Sequence, residues 1–294
     1  MSKRSSAPAA ALSLVVLLVA ACASPMPPSG SPGASGGPSQ GVGDIDHPTG
    51  ATDLVLRVEE GGGFVAPGFL ATEAPAFSLY GDGTAIFRDP ASNPPPPVGQ
   101  VGRGVPYSIV RLTEDQVQTL LAFALGPGGL GVARAEYQLP VADAPTTTFT
   151  VNAGGLHKTV SVNGLGIGAD AGADAAILRA LTEVRSRLVG IGAQVSGETP
   201  WAPDRYRGIL MDGFVNGAAV LPWPWKTFTP NDFAQGKDVN DPPFPIRTMT
   251  PADVSLLGVD QLEGGAQGFL IQSPFPAGVI YAFSLRPLLP DEVR

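Results

Sequence analysis

The chain has 294 residues, with 18 Lys and Arg against 26 Asp and Glu, a formal net charge of −8, and one cysteine. That balance argues against a nucleic-acid partner and against a polybasic membrane contact. Apolar residues make up 44% of the chain, enough for a core, while the single cysteine leaves the folded part without a disulfide.

Met1-Ser2-Lys3-Arg4 is a short basic start, and an apolar run follows from Ala9 to Ala21. Such a run makes roughly 20 Å of helix, too short for a hydrocarbon core of about 30 Å. A basic start, a short apolar stretch and small residues at its end are the parts of a secretory signal. The run closes on Val19-Ala20-Ala21-Cys22, which resembles the lipobox of bacterial lipoproteins. The resemblance implies cleavage of residues 1–21, acylation of Cys22 and anchoring to the cell membrane. Ala23 after the cysteine would permit outer-membrane sorting in a cell with two membranes. An ordinary signal peptide with a chance cysteine is the alternative.

Residues 22–50 are rich in Pro, Gly and Ser and nearly free of large apolar groups. They are expected to form a disordered tether that holds the folded part off the lipid surface. Gly33-Ala34-Ser35-Gly36-Gly37 matches the nucleophile-elbow pattern, but the elbow needs a strand before it and a helix after it.

Folded structure is expected from about residue 51. Leu54–Val58 reads as a strand, broken at Gly61-Gly62-Gly63-Phe64. Phe77–Tyr80 and Thr84–Arg88 flank Gly81-Asp82-Gly83, a hairpin signal because these turn residues tolerate positive φ. Tyr107–Arg111 is another strand. Thr113-Glu114-Asp115-Gln116 forms a capping box, and Val117, Leu120, Leu121, Ala124 and Leu125 recur at helical spacing until Gly126-Pro127. Thr146–Val151 and Lys158–Val162 predict a second hairpin, and Ile177 to Leu188 a second helix. Residues 51–192 therefore read as an α+β domain of antiparallel strands with two helices. Beyond Gly190 prolines are frequent and strands short. Tyr206–Met211, Gly268–Gln272 and Gly278–Arg286 read as strands, while Thr229-Pro230 and Thr250-Pro251 read as helix starts. Residues 196–294 are read as a smaller, Pro-rich α+β unit, or as an extension packed on the first.

Chemistry is sparse. His47 falls in the tether and His157 in a hairpin, so two separated histidines and no spare cysteine exclude the usual zinc sites and Cys-His or Ser-His-Asp catalysis, unless His157 acts alone. Gly164–Ala169 fits a loose dinucleotide-binding pattern, but its strand is the second arm of a hairpin rather than the start of a parallel unit. Asp232, Asp238, Asn240 and Asp241 could offer oxygen ligands to Ca²⁺, although a solvated loop fits them better. Trp223 and Trp225, set among prolines, are candidate partner-binding residues, as a platform for a sugar ring or a protein hot spot; plugging the core is the other reading. No cofactor is expected.

The order of pieces in 53–190 carries a further resemblance. A strand ends in Gly62-Gly63-Phe64; a strand and a capped helix follow, then Tyr137 with Pro140 and Asp143, a hairpin and a closing helix. This looks like the small emfourin-type inhibitors of thermolysin-like metalloproteases, which begin with a strand and a GGF turn. The likeness covers under half of the chain; the insertion at 65–106 departs from the compact pattern, and the second unit has no counterpart. The resemblance implies that Gly62, Gly63 and Phe64 are the first place to look for a target contact. The expected function is that of a non-enzymatic lipoprotein binding a protein or glycan ligand of the envelope, protease inhibition being one version. The alternative is an envelope polysaccharide hydrolase working through an Asp/Glu pair.

Overall fold

Strands from the first half build one large sheet, antiparallel except for one parallel pair at its edge. Strands β1 (Leu54–Gly61), β2 (Phe77–Tyr80), β3 (Thr84–Arg88), β4 (Tyr107–Arg111), β5 (Glu136–Gln138), β6 (Thr146–Ala153), β7 (Leu156–Asn163) and β8 (Thr199–Pro200) pair in the order β5-β7-β6-β1-β2-β3-β4-β8. This is a computed structural model that describes residues 44–65, 67–88, 107–167, 172–213, 219–236, 242–258 and 267–293. Of the helices, α1 (Pro67–Thr72) is a short one that the sequence reading did not include, α2 (Glu114–Leu125) is the capped helix, and α3 (Ala175–Val189) is the second predicted helix. The Thr113–Gln116 capping box forms in both directions.

The first sheet has two unlike faces because successive side chains point to opposite sides. Leu56, Val58, Phe77, Leu79, Phe149, Val151, Val160 and Val162 lie on the face covered by Leu120, Leu121 and Ala124 of α2 and Leu178, Leu181 and Val184 of α3. Arg57, paired in register with Ser78 and Thr150, and Glu59, paired with Thr148, lie on the other face.

A second sheet follows. Strands β9 (Tyr206–Asp212), β10 (Val220–Pro222), β11 (Ala234–Gln235), β12 (Pro245–Met249), β13 (Gln267–Gln272) and β14 (Ile280–Pro287) pair in the order β10-β13-β14-β9-β12-β11. Its aromatic core gathers Tyr206, Trp225, Phe228, Phe233, Phe269 and Phe283. Thr250-Pro251 starts the five-residue helix α4 (Pro251–Ser255), whereas Thr229-Pro230 starts only a 3₁₀ turn, Pro230–Asp232. The α+β class stands. The two predicted helices are joined by two short ones, α1 and α4, among the described residues.

Two boundaries differ from the sequence reading. The described residues between 44 and 293 fall in one compact unit, and Thr199–Pro200, placed by the sequence reading in the smaller unit or extension, add a strand to the first sheet through β4. Residues 44–50, expected in the tether, lie against the folded domain. Gln118 brackets Ile45, its amide donating to the Ile45 carbonyl at 3.0 Å and its Oε1 accepting from the Ile45 N–H at 2.8 Å. His47 is buried, with Nε2 3.1 Å from a Glu114 oxygen and Nδ1 2.7 Å from the Pro48 carbonyl. Ile45 also packs against the core, but one isoleucine and a few polar bonds leave little signature for composition to reveal. No described helix is long and apolar enough to cross a membrane.

The two sheets meet through the segment after β14. Leu288 and Leu289 are buried, and Leu289 packs with Tyr80, Ile86 and Tyr107 on the back of the first sheet. The turn that follows, Pro290–Glu292, delivers two carboxylates to that same face.

Candidate functional site

Cys22 lies outside the described residues. The turn after β1 is described in full as backbone. Gly62 and Gly63 both take positive φ, +78° and +82°, and a Cβ on Gly63 would come within 3.0 Å of the Asp143 carbonyl. Two consecutive left-handed residues turn the chain sharply at little cost only when both are glycine. The Gly62 N–H donates to Glu73 Oε1 at 2.9 Å, and the Val65 N–H closes a tight turn onto the Gly63 carbonyl at 3.1 Å. Phe64, at the apex, is 92% exposed. The ring of Phe64 is thus left almost wholly in water at the tip of a turn whose backbone is hydrogen-bonded on both sides. Glu73, its anchor, carries no motif; sequence reading missed it because its role depends on the chain folding back through α1.

The tryptophan pair stands elsewhere. Trp225 is 3% exposed, its indole N–H donates to the Asp253 carbonyl at 2.8 Å, and its ring stacks on Phe228 at 4.9 Å. Trp223 is half-buried, donates to the Phe228 carbonyl at 2.9 Å and meets Trp225 edge-on at 5.0 Å. Trp225 therefore has no free face to offer, which corrects its expected place on a partner-binding surface: Trp223, Phe228 and Phe283 surround its ring.

Between the sheets lies a polar cavity of about 710 Å³, lined by Arg57, Glu59 and Glu73 from the first sheet side, Arg207 and Arg286 from the second, and Asp291 and Glu292 from the terminal turn. Arg207 and Arg286 are direct cross-strand partners on β9 and β14, an arrangement of like charges that needs anions nearby. Glu292 supplies one, accepting from both guanidinium arms of Arg286 at 2.9 and 2.6 Å and from the Leu289 N–H at 2.9 Å. Asp291 supplies another, accepting from Arg57 at 2.6 Å and from the Tyr80 hydroxyl at 2.7 Å. Burial alone would raise the Glu292 carboxyl; the Arg286 bonds and charge outweigh it and hold the group down at about 2. Burial raises Glu59 above the usual carboxylate range, with Arg57 offsetting only part of the effect, and raises Glu73 against the pull of the Gly62 N–H. Carboxyls pushed in opposite directions around one cavity are the raw material of acid–base chemistry, although buried ion networks perturb pKa values for structural reasons as well.

The remaining candidates resolve simply. His157 is exposed, with Nδ1 3.3 Å from Asn152 Oδ1. Asp232 caps its own turn, accepting from the Thr229 N–H at 2.7 Å and hydroxyl at 2.9 Å, while Asp238, Asn240 and Asp241 lie outside the described residues. Gly164 and Gly166 end a hairpin arm with positive φ, and Gly168 and Ala169 lie outside the described residues. Among the described residues no group of three His, Cys, Asp or Glu is placed to hold a metal. Comparison of the chain with protein-family models, with curated proteins and with solved structures finds no match.

Proposed function

We propose that this chain is an exported lipoprotein, held at the cell membrane through Cys22, that acts as a non-enzymatic binding module with Phe64 as its leading contact. The observation that carries this reading is the 92% exposure of Phe64 at the tip of a turn braced by Glu73. Burying a phenyl ring in a partner's pocket contributes about 1.5–3 kcal/mol, and the braced backbone has little freedom left to lose on binding. The GGF turn and the order of elements in 53–190 support the specific version, inhibition of a thermolysin-like metalloprotease, in which this turn meets the protease.

Residues 37–294 titrated against such a protease should abolish its activity at a stoichiometric ratio. Phe64→Ala should weaken inhibition on the order of 100-fold, a hot-spot loss, while leaving the unfolding midpoint in place because the ring touches little in the free protein. No inhibition at high micromolar concentration would discard the inhibitor version. For the anchor, cells fed labelled palmitate should label the wild type, and Cys22→Ala should lose both label and membrane association; an unlabelled, membrane-bound wild type would discard the lipid.

A second reading, an envelope polysaccharide hydrolase, is favoured by one observation: Glu59, held high, and Glu292, held low, face the same cavity. Against it, both oxygens of Glu292 are engaged by Arg286, which leaves it poorly placed to attack. Turnover of cell-wall glycan that disappears in Glu59→Gln, with the fold intact, would replace the binding reading with this one.

A further inference from the structure

At one end of the second sheet lies an open groove of about 760 Å³ that is separate from the Phe64 turn. Its sides are Phe233, Phe244 and Pro245, and Tyr281 sits beside Asp212 as its direct cross-strand partner on β14 and β9. Asn231, exposed in the 3₁₀ turn that the Thr229–Asp232 capping box fixes, completes the rim. The groove is preformed on its deep side, because Phe233 packs edge-on against Phe283 and Trp223 in the aromatic core. Neither the Asp212 carboxylate nor the Asn231 amide is engaged by another described side chain, and Asp212 is exposed.

We infer that this groove binds a short neutral oligosaccharide. Three features select that class. Aromatic rings and a proline offer flat apolar surface of the kind the C–H faces of sugar rings cover. The polar groups provide both acceptors (Asp212, Asn231) and donors (Asn231, the Tyr281 hydroxyl), matching hydroxyl groups that both give and take hydrogen bonds. A polyproline-type peptide offers carbonyl acceptors and few donors, so it would make no use of the Asp212 carboxylate. The same carboxylate, in a chain of net charge −8, disfavours anionic polymers. The volume falls within the range of small-molecule sites. The tryptophans that sequence reading set forward as a sugar platform thus stand behind the groove as its support, and the contact surface passes to Tyr281 and Phe244.

The test is calorimetric titration of the full-length chain, in a detergent without sugar headgroups, with cellotetraose, chitotetraose and decaproline. At least one tetrasaccharide should bind in the micromolar to millimolar range. Tyr281→Ala should weaken it tenfold or more, and the near-isosteric Asp212→Asn, which leaves the fold untouched, at least threefold. Phe64→Ala should leave it unchanged, so that this site and the Phe64 reading fail or stand separately. Absence of binding by either tetrasaccharide at millimolar concentration overturns the inference. So does glycan binding that both groove variants retain in full, and so does binding of decaproline alone, which would assign the groove to a peptide.

Discussion

Glu292→Ala is expected to destabilise the protein by about 3–5 kcal/mol, because it removes one partner of a buried ion pair and strands the other. Arg286 is 4% exposed, and its Nε has no hydrogen-bond partner among the described residues. Without Glu292 its remaining acceptor among the described residues is the Pro287 carbonyl at 3.0 Å, with Arg207 beside it across the strand pair. Asp291 cannot take over, since Arg57 and Tyr80 hold it. Urea unfolding followed by fluorescence would give the loss directly; less than 1 kcal/mol would mean that the terminal turn is not a real clasp. The double variant Arg286→Met with Glu292→Leu should recover most of the loss, since the desolvated pair itself is worth little against an apolar replacement. The same residue carries an acid limb. Its folded carboxyl sits at about 2, below its unfolded value of about 4.3, so its contribution is fully present above the unfolded value and is lost as pH falls from about 5 toward 2. In Glu292→Gln that part of the pH dependence should vanish.

Trp225→Ala should cost about 3–5 kcal/mol in the second sheet, the usual range for emptying a buried tryptophan site. The ring lies between Phe228 and Phe283, 4.9 and 5.2 Å away, so its removal strips both of a packing partner. Trp225→Phe should keep most of the packing and lose chiefly the hydrogen bond to Asp253, about 1 kcal/mol. This variant also asks whether the two sheets melt together. Trp201 packs edge-on against Tyr107 at 5.6 Å, in the cluster on the back of the first sheet, and its indole N–H resonance, distinguished from that of Trp223, reports on that region. If its transition moves with the rest in Trp225→Ala, the sheets form one cooperative unit; if it stays in place, they unfold as two. A full-length Trp225→Ala protein with wild-type stability in both transitions would contradict the packing described.

Legibility in the sequence followed locality. The hairpin around Gly81–Gly83, the capping box at Thr113 and the apolar stripes of α2 and α3 each draw on neighbours within a few residues, and all are found where the patterns put them. The strands β8, β10 and β11 are only two or three residues long, and β5 and β10 pair in parallel with strands distant in the chain, so no local alternation marks them. At the Phe64 turn the two glycines and the ring were readable, while the brace from Glu73 was not. The Arg57–Asp291 pair spans 234 residues, a separation across which composition and spacing say nothing. Trp225 shows the remaining ambiguity: a tryptophan among prolines suits a surface platform and a core plug equally, and only the surrounding phenylalanines decided for the core.

The clasp made by residues 288–292 has a bearing on how such a chain matures if it threads across a membrane from its N-terminus. The hydroxyl of Tyr80 and the guanidinium of Arg57 appear early, yet their acceptor arrives only after the whole second sheet has been synthesised. Until then the rear of the first sheet stays wet and uncapped, and a chain stalled or clipped before Leu288 carries that defect permanently. A chain cut before Leu288 would therefore leave the Arg57 guanidinium and the Tyr80 hydroxyl without the acceptor that Asp291 gives them.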